Sequence, residues 1–385
     1  MIFYSPSRDI ALRELSFHPP FLTLSVNIRK PHDKPDRQCY NKHIGQADKF
    51  PNLCPSGKDE NNMPGFTTHY IFGMKAYNDM PFTPLKHTIA KYRWLYQLGL
   101  QGPDMFFYNI LRHRDYRNVG SYMHEHKVNA FFECCLRRIG TIRSRQQQEE
   151  AISYLAGFMN HYIADSICHP YVYGRIGYPV DAPTSMHHGM HAHLENELDA
   201  ILLWKYKKKK PSEFNQTATI CLNGQEIQFI SHFLASCINE TYYPITYRNN
   251  FQVTPAMVHR SIWALRFGCR TLSDKNGKKK FGIAQVESIF VNHPVASAKM
   301  VTDSVTDYRS SCNLNHEAWG NPWDPTRVST ASFVDLFHET LDKCSRVYAL
   351  LNSAVTDNMP LDKQDLSPLL AELGNESYHS GLPVE

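Results

Sequence analysis

Two histidines and an aspartate fall at four-residue intervals, His161, Asp165 and His169, in the segment Gly157-Phe-Met-Asn-His-Tyr-Ile-Ala-Asp-Ser-Ile-Cys-His-Pro170. On a helix each residue turns ~100°, so a step of four advances only ~40° and His161 shares a face with Asp165. His169 then leaves at the end of the helix, where Pro170 stops or turns the chain. Imidazole and carboxylate donors converging in this way suit zinc. A second group stands in Ser185-Met-His-His-Gly-Met-His-Ala-His-Leu-Glu-Asn-Glu-Leu-Asp199. His191 with Glu195, and His193 with Glu197, are each four apart but on different faces, and only one pair can aim at a given metal. Leu194, Leu198, Leu202 and Leu203 define the buried side and favour His191 and Glu195.

Three donors upstream are isolated: His69, Asp104 in Gly102-Pro-Asp104, and His124. Each alone fits a structural role, as a hydrogen-bonded histidine or as a helix start. Even an i, i+4 His–Asp pair can be a surface pair worth ~0.5 kcal/mol or less. The joint pattern, with donors of both kinds spread over several predicted helices, is what points to a metal centre.

The rest of the 385-residue chain supports a large helical domain. It is 42% hydrophobic and 20% charged, enough apolar mass for a sizeable core, and its net charge of +4 gives no global field for nucleic acid or anionic lipid. No apolar run approaches the ~18 residues of a membrane span. Charged residues at 8, 9, 13 and 14 interrupt any secretion signal, and ten cysteines without a Cys-x-x-Cys pair read as reduced thiols, so a cytoplasmic location is expected. Residues 1–62, rich in proline and lacking a helical period, read as an N-terminal extension outside the folded domain. Thr83-Pro84 opens a predicted helix running on to Leu98, and Pro103 opens another to Leu111. Further helices are predicted near 120–138, 146–167, 188–206, 227–240, 254–270 and 331–354, with a tail from 361 to 385. Asn223-Gly224 between alternating residues predicts a small β-hairpin near 218–230. Lys207 to Lys210 read either as a solvated helix end or as a patch for acidic phospholipid.

Read in order, these motifs carry a resemblance. Met63-Pro-Gly-Phe-Thr-Thr-His69-Tyr-Ile-Phe-Gly73, Gly102-Pro-Asp104, Gly120-x-x-Met-His124, His161-x-x-x-Asp165-x-x-x-His169-Pro170 and His191-x-x-Leu-Glu195-x-x-Leu-Asp199 resemble the bacterial zinc-dependent phospholipase C family. The likeness covers about residues 63–205 and extends through Leu314-Asn-x-x-x-Trp-x-x-x-Trp323 and the helix from Phe333, giving a domain over 63–360. It implies an all-α fold, shared with fungal single-strand-specific zinc nucleases, and two to three zinc ions. On the matched positions, Asp104, His124, His161 and Asp165 would surround one zinc. His169, His191 and Glu195 would hold a second, and Asp165 would bridge to a third that His69 also ligates. A carboxylate beside an incoming water can also act as general base, a role for Asp104 that ranks behind that of ligand. Secreted members place two residues more between the bridging aspartate and the next histidine, and they complete the third zinc with their own first residue's amino group and carbonyl. Here 62 residues precede Met63, so residues 1–62 are expected either to be missing from the working enzyme or to fold away without supplying a ligand.

The implied activity is zinc-dependent cleavage of a phospholipid or other phosphodiester, with peripheral membrane contact. A nuclease or phosphatase on the same scaffold, with nucleic acid as partner in the first case, and a zinc-binding interaction protein without turnover are the rival readings. Phe66, Tyr70, Tyr122 and Phe158 are expected either to wall a pocket for a choline-like headgroup or to be core residues.

Overall fold

The computed structural model describes residues 65–385 except 109–113, 249–251, 273, 275–277, 291–296, 298–299, 304 and 306. The extension at 1–62 and the start of the first motif at Met63 lie outside the described residues. The fold is all-α with one small antiparallel sheet. In chain order the helices are α1 (Phe66–Asp79), α2 (Pro84–Lys91), α3 (Arg93–Gly99), α4 (Arg114–Glu125), α5 (Val128–Thr141), α6 (Arg145–Arg175) and α7 (Ser185–Lys207). There follow α8 (Gly224–Arg248), α9 (Pro255–Leu272), α10 (Lys278–Phe290), α11 (Tyr308–Ser311), α12 (Phe333–Thr356) and α13 (Ser367–Leu373). The strands are β1 (Trp319–Asn321) and β2 (Asp324–Ser329), with Trp319 opposite Ser329. Among the described residues no helix is long and apolar enough to cross a membrane.

α6 is the axis of the domain. From Glu150 to Tyr173 almost every side chain is buried, and a helix that is covered on all sides must be wrapped by its neighbours. Two apolar clusters flank it. The larger joins α2, α3, α5, α8, α9, α12 and α13 to its first half; the smaller joins α1, α7, α12 and Trp319 to its second half. α3 lies backbone to backbone on α6: a Cβ on Gly99 would meet the Tyr154 carbonyl at 2.1 Å, and one on Gly157 would meet the Tyr96 carbonyl at 2.1 Å. The donors at 161, 165 and 169 are therefore mounted on a helix that is covered on nearly every side.

Several local expectations are corrected. No β-hairpin forms near 218–230: a 3₁₀ turn at Gln216–Thr219 leads into α8, and the only strand pair among the described residues is β1–β2. Asn223 is a helix cap instead, its Oδ1 accepting from the Glu226 N–H (2.9 Å) while Glu226 Oε2 accepts from the Asn223 N–H (2.8 Å). The run from Pro84 to Leu98 breaks at Tyr92 into α2 and α3, and that from 120 to 138 breaks at Lys127, whose φ of 49° is left-handed. Pro103 opens a 3₁₀ turn, Gly102–Phe106, rather than a helix to Leu111; part of that span lies outside the described residues. Pro170 stops nothing, since α6 continues to Arg175. Residues 361–385, set apart as a tail, place Leu361, Leu366, Leu369, Leu373 and Tyr378 in the larger cluster.

Candidate metal centre

α6 presents His161, Asp165 and His169 at the junction of the two clusters, and four other elements bring donors to them. His69 comes from α1, Asp104 from the Gly102–Phe106 turn, His124 from α4, and His191 and Glu195 from α7. All eight are buried. Gly102 allows the approach of its turn to α6: its φ is +45° and a Cβ there would lie 2.1 Å from the His161 ring. Asp199, four residues beyond Glu195, fixes α1 by accepting from the Thr67 N–H (3.0 Å) and the Thr68 N–H (2.7 Å). It thereby caps the first turn of the helix that carries His69.

The donors fall into two groups that could each hold a metal ion, His69 with Asp104, His161 and Asp165, and His169 with His191 and Glu195. His124 joins the first, its Nε2 3.1 Å from Asp104 Oδ1 and 3.9 Å from Asp165 Oδ2. Asp165 faces both groups. Its Oδ2 is 3.0 Å from His161 Nε2, whereas its Oδ1 is 3.2 Å from His69 Nε2 and 3.8 Å from His169 Nε2. Glu195 Oε1 lies 2.8 Å from His191 Nε2 and 3.2 Å from His169 Nε2.

The hydrogen bonding of these side chains fits metal coordination. Asp104 Oδ2, His161 Nε2, Asp165 Oδ2 and Glu195 Oε2 are buried without a hydrogen-bond partner, a costly arrangement for a closed protein core. Meanwhile the outer nitrogens of three histidines are tied to carbonyls: His124 Nδ1 to Gly120 (2.7 Å), His161 Nδ1 to Leu100 (3.2 Å) and His169 Nδ1 to Tyr378 (2.9 Å). A proton placed on Nδ1 leaves each Nε2 lone pair turned inward, the arrangement that zinc-bound histidines use.

Without metal the groups hold one another's charge. Burial opposes a charged imidazole at His169, but Asp165 and Glu195 outweigh it and lift the group to about 10. Burial likewise opposes the Glu195 carboxylate, yet His191 and His169 bring it down to about 2. Asp165 is held well below the usual carboxylate range, as His161, His169 and His69 overcome its burial. In the metal-free chain the His169 contribution to stability is complete below its unfolded value of ~6.5 and is lost as pH rises toward its folded value. The Glu195 contribution is complete above ~4.5 and is lost as pH falls toward 2. A metal entering the second group must displace the His169 proton. Metal uptake is therefore expected to release protons and to tighten as pH rises from 7 toward 9, which titration calorimetry in buffers of different ionisation enthalpy would measure.

His193 and Glu197 belong to neither group. His193 is about half exposed, and Glu197 accepts a hydrogen bond from Ser311 Oγ and lies 3.5 Å from His193. We expect His191→Ala to cut metal affinity ~100-fold or more, since even indirect partners of ligands are worth 10–100-fold, whereas His193→Ala should leave metal content unchanged. Glu197→Ala should lower stability rather than metal content. Equal metal loss in His191→Ala and His193→Ala would reverse the choice of pair.

Of the four aromatics read either as a headgroup wall or as core, Phe66 and Phe158 are core residues. Tyr70 packs on Phe214 beneath Lys207, and Tyr122 lies beside His126. Lys207 ends α7, Lys208 is its left-handed cap, and the Lys210 backbone N–H donates to Glu213 Oε2 (3.0 Å), so the lysine run reads as a helix end. Sequence reasoning missed the C-terminal contribution. His379 stacks on His124 at 4.9 Å and 12°, lies 5.8 Å from His169, and meets Tyr173 Oη through Nδ1 at 3.2 Å. Tyr378 packs its ring 4.8 Å from His124 and 5.8 Å from His161.

Comparison with known proteins agrees with this geometry. No curated protein and no solved structure matches the chain. The family described as zinc dependent phospholipase C matches residues 68–245, the stretch on which every donor of both groups stands. By that match and the two buried donor groups it contains, residues 68–245 are similar to the zinc-dependent phospholipase C family.

Proposed function

We propose that the chain is a phosphodiester hydrolase of the phospholipase C type, cleaving a phospholipid to diacylglycerol and a phosphorylated headgroup. The observation that carries the reading is Asp165, whose two oxygens face different histidines, so that one carboxylate could serve both donor groups. Asp104, His124, His161 and Asp165 would hold one zinc and His169, His191 and Glu195 a second. His69 with Asp165 Oδ1 would contribute to a third.

Bound zinc supplies a water acidified toward pKa ~7 and positive charge for the phosphate oxygens. The residues of the chain set the conditions for that chemistry. Apolar packing around α6 excludes bulk water from the donors and strengthens every charge interaction there. The carbonyls of Gly120, Leu100 and Tyr378 hold three imidazoles in one tautomer and orientation. Asp104 would be first a ligand, and its Oδ2, free of hydrogen bonds, could also accept a proton from an attacking water.

The test is zinc counting on the purified chain together with a screen of phosphatidylcholine, bis(p-nitrophenyl) phosphate and single-stranded DNA. Two or more zinc ions with lipid hydrolysis is the expected result. Zinc with activity on DNA alone would assign a nuclease, and zinc with no phosphodiester hydrolysis would assign an interaction protein.

A further inference from the structure

α9 turns the ordinary pattern of an amphipathic helix inside out on part of its surface. Its inner face, with Met257, Val258, Ile262, Leu265 and Cys269, is buried against the core. Its outer face shows Trp263 (62% exposed) and Phe267 (53%), one turn apart and stacked at 5.3 Å and 8°. Around them stand Arg260, Arg266 and Arg270, and α9 contains no acidic residue. α10 then opens with the exposed Lys278 and Lys279, ahead of the exposed Phe281 (66%), while Lys280 turns toward Glu197 and Asp274. The two helices are joined at this end, Lys279 Nζ donating to the Thr271 carbonyl (3.4 Å) one turn past Phe267. Two stacked aromatic rings held in solvent cost stability in an isolated protein, and three arginines on the same helix with no acidic residue among them make a second copy of this same face a poor partner. Aromatic side chains flanked by arginine and lysine suit one environment well, the boundary between the headgroups and the acyl chains of an anionic bilayer.

We propose that Trp263, Phe267 and Phe281, with the bases of α9 and the first turn of α10, form a docking face for an anionic phospholipid surface. For its purpose the proposal rests on the phospholipid reading given above, and it locates the bilayer contact on α9 and α10 rather than on Lys207 to Lys210. The inner side of α9 packs against the Gly102–Phe106 turn that carries Asp104, so a docked face would sit directly behind one wall of the metal centre.

The experiment is co-sedimentation of the full, zinc-loaded chain with phosphatidylcholine vesicles made with and without phosphatidylserine. Binding is expected to be at least ~10-fold tighter with phosphatidylserine and to weaken with salt, because each base near an anionic surface strengthens attraction about fivefold. Trp263→Ser with Phe267→Ser should weaken vesicle binding at least ~10-fold through the lost apolar insertion. Arg270→Gln with Lys278→Gln should weaken it about 25-fold on the mixed vesicles and little on phosphatidylcholine alone. Both pairs are surface residues, and an unchanged thermal midpoint would show the fold intact. Hydrolysis of dissolved bis(p-nitrophenyl) phosphate should be unaffected in either variant, which separates docking from catalysis. Vesicle binding lost in the variants of a chain that hydrolyses no phosphodiester would uphold the docking face and remove the phospholipase reading. Wild-type vesicle binding by the Trp263→Ser, Phe267→Ser chain would overturn the proposal. So would a change of oligomeric mass in that variant, or a preference for single-stranded DNA lost with the same substitutions.

Discussion

Asp165→Ala is expected to empty the metal centre and abolish hydrolysis, the largest effect of any single substitution in the chain. One carboxylate stands between the two donor groups, with His161 on one oxygen and His69 and His169 on the other. Its loss would remove a carboxylate that faces both donor groups at once. Changes behind a ligand already cost ~10–100-fold in affinity or activity, so a direct, shared ligand should cost more than ~100-fold. The metal-free chain should suffer as well. Asp165 is the anion against which His69 is held protonated more readily than usual, and removing one member of a buried charged pair costs ~3–5 kcal/mol. Asp165→Asn distinguishes the two effects. It keeps the volume and one acceptor but removes the charge, so it should refold better than the alanine variant while still losing metal. Zinc counting, bis(p-nitrophenyl) phosphate hydrolysis and urea unfolding of the three chains would test this, and an alanine variant that retains two tightly held zinc ions would refute the bridging assignment.

How much of this could be read beforehand depended on where each interaction records itself. Donors on α6 and α7 recur with the helical period and sit among apolar neighbours, so both their spacing and their burial were legible. The choice of His191 over His193 followed from the leucines at 194, 198, 202 and 203, and in the structure His191 is buried while His193 is half exposed. Asn223-Gly224 shows the opposite case. The same letters favour a hairpin turn and an N-cap, and Glu226 three residues on, the partner of a capping box, was the signal that decides for a helix. The place of Pro170 in α6 was invisible for another reason. Proline leaves the Ser166 carbonyl without its helical donor, and the structure covers that spot with Gly381, more than two hundred residues away in sequence. His379 and Tyr378 escaped notice because they follow no periodic element and because the contact that matters most, from the Tyr378 carbonyl to His169, is made by backbone. Main-chain contacts leave no mark on residue identity.

That last point leads to the second large effect. A chain ending at Gly374 is expected to lose most of its metal affinity and much of its stability, although it keeps all eight donors. Removing residues 375–385 takes away the acceptor of His169 Nδ1, the Tyr378 ring that packs against His124, His161 and Tyr162, and the stack of His379 on His124. It also takes away the Asn375 side chain that accepts from the Asn129 N–H, and the Glu376 carboxylate that accepts from Tyr162 Oη at 2.6 Å. Truncating one fully buried aromatic side chain costs ~3–5 kcal/mol, a large part of the ~5–15 kcal/mol that holds a domain folded. Loss of the carbonyl partner of one histidine adds ~10–100-fold in metal affinity. Because a shortened chain could fail simply by unfolding, Gly381→Val gives the finer reading. Gly381 has a φ of +60°, and a Cβ there would meet the Ser166 carbonyl at 2.6 Å. Any side chain at this position must therefore lift the segment off α6 while leaving every donor and every large core residue in place. Gly381→Val should remain folded, bind zinc ~10–100-fold more weakly, and recover part of its thermal stability when zinc is raised. Unchanged zinc affinity in Gly381→Val, together with a chain ending at Gly374 that folds and fills its sites, would show that the donors of α6 and α7 are held without help from the C-terminal segment.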